Sequence, residues 1–239
     1  MASGPPSSPR RILAVDDDPI SLAITAVLLE ADGWTVLQAA GGEEALDLLA
    51  ACDPPECIVA DLLMPGLSGP DLASRLRQVA PCARIVAMSA SPPAAVDGYE
   101  LILNKPLSVE SLHAALAHEP APTQPAIPPP DGSGVLDADI FERLRRSMST
   151  NGLMEVVVAF FQDAAMRIGS MRTGDPATVR REAHTLKGGA SMIGVIQVAV
   201  AAAAVEAGID SEGDRLRKLD EIEDHCRRAE GILMQRLKL

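Results

Sequence analysis

Residues 118–134 read HEPAPTQPAIPPPDGSG. Proline has no backbone N–H and a fixed φ, so this stretch supplies neither helix nor ladder donors and predicts an extended linker over 119–134. Any fold must be completed on one side of it or the other. The 239 residues therefore divide into two small domains, over 10–118 and 135–239, each long enough to bury its own core. Residues 1–9, rich in Pro and Ser, are expected to be a disordered tail.

The two sides carry unlike patterns. Before the linker, Ile12–Val15, Thr35–Leu37, Ile58–Ala60, Ile85–Met88 and Leu101–Leu103 are short apolar runs without alternation, as strands covered on both faces require. Amphipathic stretches lie between and after them, near 19–31, 42–51, 70–79 and 107–117. This alternation predicts an α/β doubly wound, five-stranded parallel sheet. After the linker, helical periodicity runs almost unbroken. Asp175 and Pro176 read as an N-cap and first helical residue, opening a helix to about Ile193 with Val179, Ala183, Leu186, Ala190 and Ile193 on one buried stripe. Met154, Val157, Val158, Phe161 and Ile168 mark a second helix and Val195 to Val205 a third. A fourth carries Leu216, Leu219, Ile222, Cys226, Ala229 and Leu233. With a short leading helix near 137–146, these predict an all-α four-helix bundle.

Chemistry-bearing residues collect at the carboxyl ends of the predicted strands, where open parallel sheets bind ligands. Asp16, Asp17 and Asp18 follow the first strand and Asp61 ends the third. Ser89 ends the fourth, and Lys105 follows the fifth. Crowded carboxylates repel one another, and a hard divalent cation with oxygen ligands relieves this, with magnesium the expected ion. An aspartate beside such an ion, with a lysine and a hydroxyl nearby, suits phosphoryl transfer with Asp61 as nucleophile.

In the second half, His184 lies about 150° around its helix from the buried stripe at roughly 100° per residue, and is expected to face solvent. Lys187, Gly188 and Ser191 share its face. Glycine costs a helix interior about 1 kcal/mol relative to alanine, so Gly188 and Gly189 call for a reason, and access to His184 supplies one. Arg180 and Arg181 add positive charge that suits an acidic partner or simply solubilises the helix.

The segments ILAVDDDP (12–19), DLLMPGLSG (61–69), Ser89-Ala90 and Asn104-Lys105-Pro106 resemble the response-regulator receiver family, whose domain has the flavodoxin-like fold. That resemblance implies that Asp16, Asp17, Asp61 and the backbone carbonyl of Leu63 hold Mg2+, that Asp61 accepts phosphate, and that Ser89 and Lys105 contact the phosphoryl oxygens. It assigns Asp18 no role. Residues 180–190, RREAHTLKGGA, resemble the signature of histidine phosphotransfer (HPt) domains. This second resemblance implies a phosphate carried on His184, neutralised by Lys187, with Gly188 opening the surface for a receiver to dock. Together they imply a phosphorelay protein whose partners are a sensor histidine kinase and another receiver, with docking of the chain's own two domains a further possibility. Two positions depart from the receiver pattern. Ile102 stands where an aromatic is usual, with Tyr99 three residues earlier. The interval from Ser89 to Lys105, which includes Pro92 and Pro93, leaves room for a loop or one turn in place of the usual fourth helix.

Composition excludes other classes. A formal net charge of -12, with 15 acidic and 6 basic side chains in 1–118, is wrong for gripping nucleic acid through counterion release. The longest apolar run, Val198 to Val205, is far short of the roughly 20 residues that span a bilayer, and the N-terminus has no signal core. Cys52, Cys57, Cys82 and Cys226 form no Cys-x-x-Cys pair and read as reduced, packed thiols of a cytoplasmic protein. No nucleotide-binding loop appears, so ATP use is not expected. His113, His118 and His225 read as structural or exposed. Two rival readings remain: a non-catalytic module in which the receiver gates a helical domain that inhibits a kinase by binding, and a magnesium-dependent aspartyl-phosphate hydrolase, which leaves His184 unexplained.

Overall fold

The computed structural model describes residues 10–90, 93, 95–117 and 134–237. The expected tail over 1–9, His118, Pro92 and the expected linker up to residue 133 lie outside the described residues. The chain divides into two compact units, one up to Gln124 and one from Pro125, and each is a fold in its own right.

In the first unit the five apolar runs are strands: β1 (Arg11–Val15), β2 (Thr35–Ala39), β3 (Cys57–Asp61), β4 (Arg84–Ser89) and β5 (Leu101–Asn104). They pair in parallel in the order β2-β1-β3-β4-β5. Successive side chains alternate between the faces, and each face has its own core. Leu13, Val15, Ile58, Ala60 and Ile85 pack with Leu49, Leu72 and Leu76, contributed by α2 (Gly42–Ala51) and α3 (Gly69–Val79). Ile12, Cys57, Val59, Val86 and Met88 pack with Leu29, Leu107 and Leu112 on the side of α1 (Pro19–Ala31) and α4 (Val109–Leu116). Burial of both faces is why the strands read as continuous apolar runs. Between β4 and β5 no described residue is helical.

The second unit is α5 (Ala138–Ser147), α6 (Thr150–Thr173), α7 (Pro176–Met192), α8 (Ile196–Ala207) and α9 (Glu212–Leu237). Helix α6 packs on α7 and α9, and α8 packs on α7 and α9, which closes a four-helix ring. The leading helix α5 packs on α6. Its N-cap, Asp137, donates its backbone N–H to the carbonyl of Gly194 at 2.8 Å, and Gly194 turns the chain between α7 and α8 at φ +75°. The expected stripe of α7 is buried throughout, from Val179 to Ile193. Elsewhere the stripes need correction. Leu153 and Phe160 are buried, whereas Met154 and Val158 are only half-buried; Leu216 is exposed and Cys226 half-buried. In α6, Val157, Phe161 and Ile168 are buried as expected and only the places of Met154 and Val158 pass to Leu153 and Phe160; in α9, Leu219, Ile222, Ala229 and Leu233 are buried in the expected register. All four cysteines are free, but only Cys57 is fully packed, and Cys82 is exposed.

Candidate functional site

In the first unit, β2 lies beyond β1 and β4 lies beyond β3, so the strand order reverses between β1 and β3. Their carboxyl ends bound the crevice where such sheets place ligands. Asp16, directly after β1, is 1 % exposed. Asp61, the last residue of β3, is also buried, and Asp17 is half-buried. One carboxylate oxygen from each of the three lies within 4.8 Å of the others. Lys105, just past β5 and 3 % exposed, donates from Nζ to Asp16 Oδ2 at 2.6 Å and to Asp61 Oδ2 at 2.8 Å. Ser89, at the end of β4, is buried, and its carbonyl accepts from the Lys105 N–H at 2.9 Å. Leu63 donates its N–H to Asp61 Oδ1 at 3.2 Å, which sets its backbone beside that carboxylate while its side chain is exposed.

The electrostatics follow from burial and crowding. Loss of solvent pushes the Asp16 carboxyl above its usual range, Lys105 opposes this, and Asp61 adds to it. Asp17 is likewise raised, by burial and then by Asp16 and Asp61. Burial alone would lower the Lys105 ammonium, but Asp16 and Asp61 outweigh it and hold it above its ordinary value. Three carboxylates and one lysine leave the crevice short of positive charge. Its oxygen donors suit a hard divalent cation. Asp18, unassigned from sequence, caps α1 by accepting from the N–H groups of Ile20 and Ser21. Asp18 followed by Pro19 is the same signature that reads as a helix start at Asp175 and Pro176.

The loop after Asp61 is held closely. Gly66 and Gly69 take φ of +73° and +56°, and a Cβ on Gly42 would stand 2.2 Å from the Leu67 carbonyl oxygen. Only glycine lets α2 start against this loop. Tyr99 donates its hydroxyl to the Gly69 carbonyl at 3.2 Å and packs on the core beside Leu67. Burial, with a contribution from Asp61, pushes its phenol up to about 12. Ile102 is half-buried in β5.

In the second unit His184, expected to face solvent, is half-buried, with its side chain 22 % exposed. Its Nδ1 meets Glu206 Oε1 at 2.6 Å. The other oxygen of Glu206 accepts from Lys187 Nζ at 2.6 Å. Lys187 is buried and already paired, and Ser191 is buried with its hydroxyl on the Lys187 carbonyl at 2.8 Å. Burial would raise the Glu206 carboxyl, but hydrogen bonds from Lys187 and His184 and their charges hold it below its usual range. An ionised carboxylate only accepts, so Nδ1 carries a proton, and in the neutral form of the ring the lone pair is on Nε2. A Cβ on Gly188 would meet nothing within 4 Å, so the helix surface one turn beyond His184 is open. Arg180 and Arg181 are both exposed along the same helix. Sequence reasoning missed Glu206: it sits on α8, 22 residues away, and bundle packing alone brings it to His184.

Residues 12–117 match the response regulator receiver domain family, and residues 155–233 match the Hpt domain family. The chain is a receiver domain followed by an Hpt domain. Both are domain families of two-component systems. It is 30% identical over 211 residues to the sensory/regulatory protein RpfC of Xanthomonas campestris pv. campestris, covering 79% of this chain and 29% of RpfC. It is 25% identical over 198 residues to the sensor protein TorS of Escherichia coli, covering 77% of this chain and 21% of TorS. The chain thus spans under a third of either relative. A response regulator structure from Burkholderia pseudomallei with a phosphorylated aspartic acid and a calcium ion is 34% identical, with a TM-score of 0.42, covering 45% of this chain and 66% of that one. Among the described residues no helix is long and apolar enough to cross a membrane.

Proposed function

We propose that the receiver–Hpt chain relays phosphate through two residues, Asp61 and His184. The observation that carries this reading is the pair of charge-matched nucleophile sites: a buried carboxylate tied to Lys105, and an imidazole oriented by a carboxylate that also holds Lys187. At the first site Asp61 Oδ attacks the phosphorus of a phosphorylated sensor histidine kinase or a small acyl phosphate; a new P–O bond forms an acyl phosphate on Asp61 as the donor's P–N bond breaks and its imidazole leaves, or as the acyl phosphate's P–O bond breaks and its carboxylate leaves. Lys105 and Ser89 receive the phosphoryl oxygens. Asp16, Asp17, Asp61 and the Leu63 carbonyl would hold Mg2+, which when bound neutralises charge on the transferring group.

At the second site His184 Nε2 attacks the phosphoryl group of a receiver's aspartyl phosphate. The P–O bond breaks, a P–N bond forms, and the carboxylate leaves as an anion. Glu206 retains the Nδ1 proton and balances the positive charge that develops on the ring, as carboxylates do for histidines elsewhere. Lys187 supplies positive charge beside the phosphate, and Gly188 leaves room for the receiver to approach. Catalysis is positioning and charge neutralisation. The partners are a sensor histidine kinase and another receiver; the domain bounds are 10–118 and 135–239, joined by 119–134. The test is His184→Gln in a reconstituted relay. Transfer to the downstream receiver is expected to vanish; a kinase still regulated normally by the variant would instead favour the binding-module reading.

A further inference from the structure

Between the start of α7, the end of α8 and the start of α9 lies a pocket of about 400 Å³ that the relay chemistry does not use. Val179, Val205 and Ile209 give it an apolar wall, and Arg180, Arg215 and Glu206 supply charge. Arg215 donates Nη1 to the Gly174 carbonyl at 3.0 Å, and its Nη2 stands 3.7 Å from Glu212 Oε1. Its Nε–H is buried and meets no acceptor among the described residues. A buried donor of this kind is normally satisfied by protein, water or ligand. Arg180, on the first turns of α7, brings a second guanidinium to the lining. Of the two carboxylates in the lining, Glu206 is already held by His184 and Lys187, and Glu212 is 79 % exposed and screened by water.

Two guanidiniums beside an apolar wall fit one chemical class. We propose that this pocket binds a small amphipathic anion, a carboxylate or sulfonate on an apolar body, and that its occupancy is felt at His184 through the shared Glu206. An anion seated beside Glu206 repels that carboxylate and disturbs the hydrogen bonds by which it holds His184 and Lys187, and so slows phosphoryl acceptance. Binding is independent of the relay reading; the slowing rests on it.

The probe is anilinonaphthalene sulfonate, titrated into the full chain by fluorescence. Saturable binding is expected, displaced by octanoate but not by octanol. Arg180→Gln and Ile209→Trp are each expected to weaken it on the order of tenfold, the loss of one charge-assisted contact or of the apolar space. Undiminished binding in both variants, or equal displacement by octanol, overturns the site. In the native chain, where no variant has to fold, the probe is expected to shift the methyl NMR signals of Val179, Val205 and Ile209, and unmoved signals at saturation overturn the site as well. At saturation the probe is expected to slow labelling of His184 several-fold in the native chain and not in Ile209→Trp. An unchanged rate overturns the coupling, whereas absence of His184 labelling in the ligand-free chain contradicts the relay itself.

Discussion

Lys105 sits between two carboxylates that would otherwise repel each other at close range. Removing it leaves buried charge uncompensated, so Lys105→Met is expected to cost the receiver about 3 kcal/mol or more at neutral pH, part of it restored by millimolar Mg2+. Denaturation followed by Trp34, the one tryptophan, measures this. Asp17 works in the opposite sense. Its folded carboxyl is raised above the ordinary 3.8, so it binds a proton more tightly folded than unfolded. That contribution is present at acid pH and lost as pH rises through the folded value. Asp17→Asn should therefore stabilise the metal-free receiver at neutral pH, with the gain fading as pH falls towards about 4. A gain that grows on acidification would contradict the assignment. At the Hpt site, Glu206→Gln should slow phosphoryl acceptance by His184 on the order of tenfold, since the ring loses its ionised orienting partner; single-turnover transfer from a phosphorylated receiver reads the effect. The acidic residues were legible because each stands at the end of an apolar run. Glu206 was not, because nothing in the Ala-rich sequence of α8 marks which of its faces meets α7.

Elements place these residues and set what can be changed around them. In α7 the glycine at 188 is a local weakness with open space around it. Gly188→Ala should stabilise the Hpt unit by up to about 1 kcal/mol in thermal or chemical unfolding, while reducing transfer to a partner receiver. Higher stability with undiminished transfer would show that the open surface is not used for docking. The strand and helix ends of the receiver were legible to within about two residues because both sheet faces are covered and the runs carry no ambiguity of period. The phase of α6 was less so: its apolar residues exceed one stripe, and packing partners chose Phe160 over Val158, whereas the α9 stripe kept its register and lost only Leu216 and Cys226 from the fully buried set. The short β4–β5 connection was expected from its length, but the tie from Tyr99 to Gly69 depends on a contact across 30 positions that no local pattern encodes.

At the scale of the whole molecule, a proline-rich segment separates an acidic α/β unit from a helical one, and each has a complete core. The two proposed nucleophiles, a carboxylate and an imidazole, each have their charge partners within their own unit. The central claim is that both carry phosphate, and the stability of the label separates them. The chain is labelled once with a small acyl phosphate plus Mg2+ and once with a phosphorylated partner receiver, then treated with acid or base. The account predicts a base-labile label lost in Asp61→Asn and an acid-labile label lost in His184→Gln. Labelling left unaltered by both substitutions would contradict it.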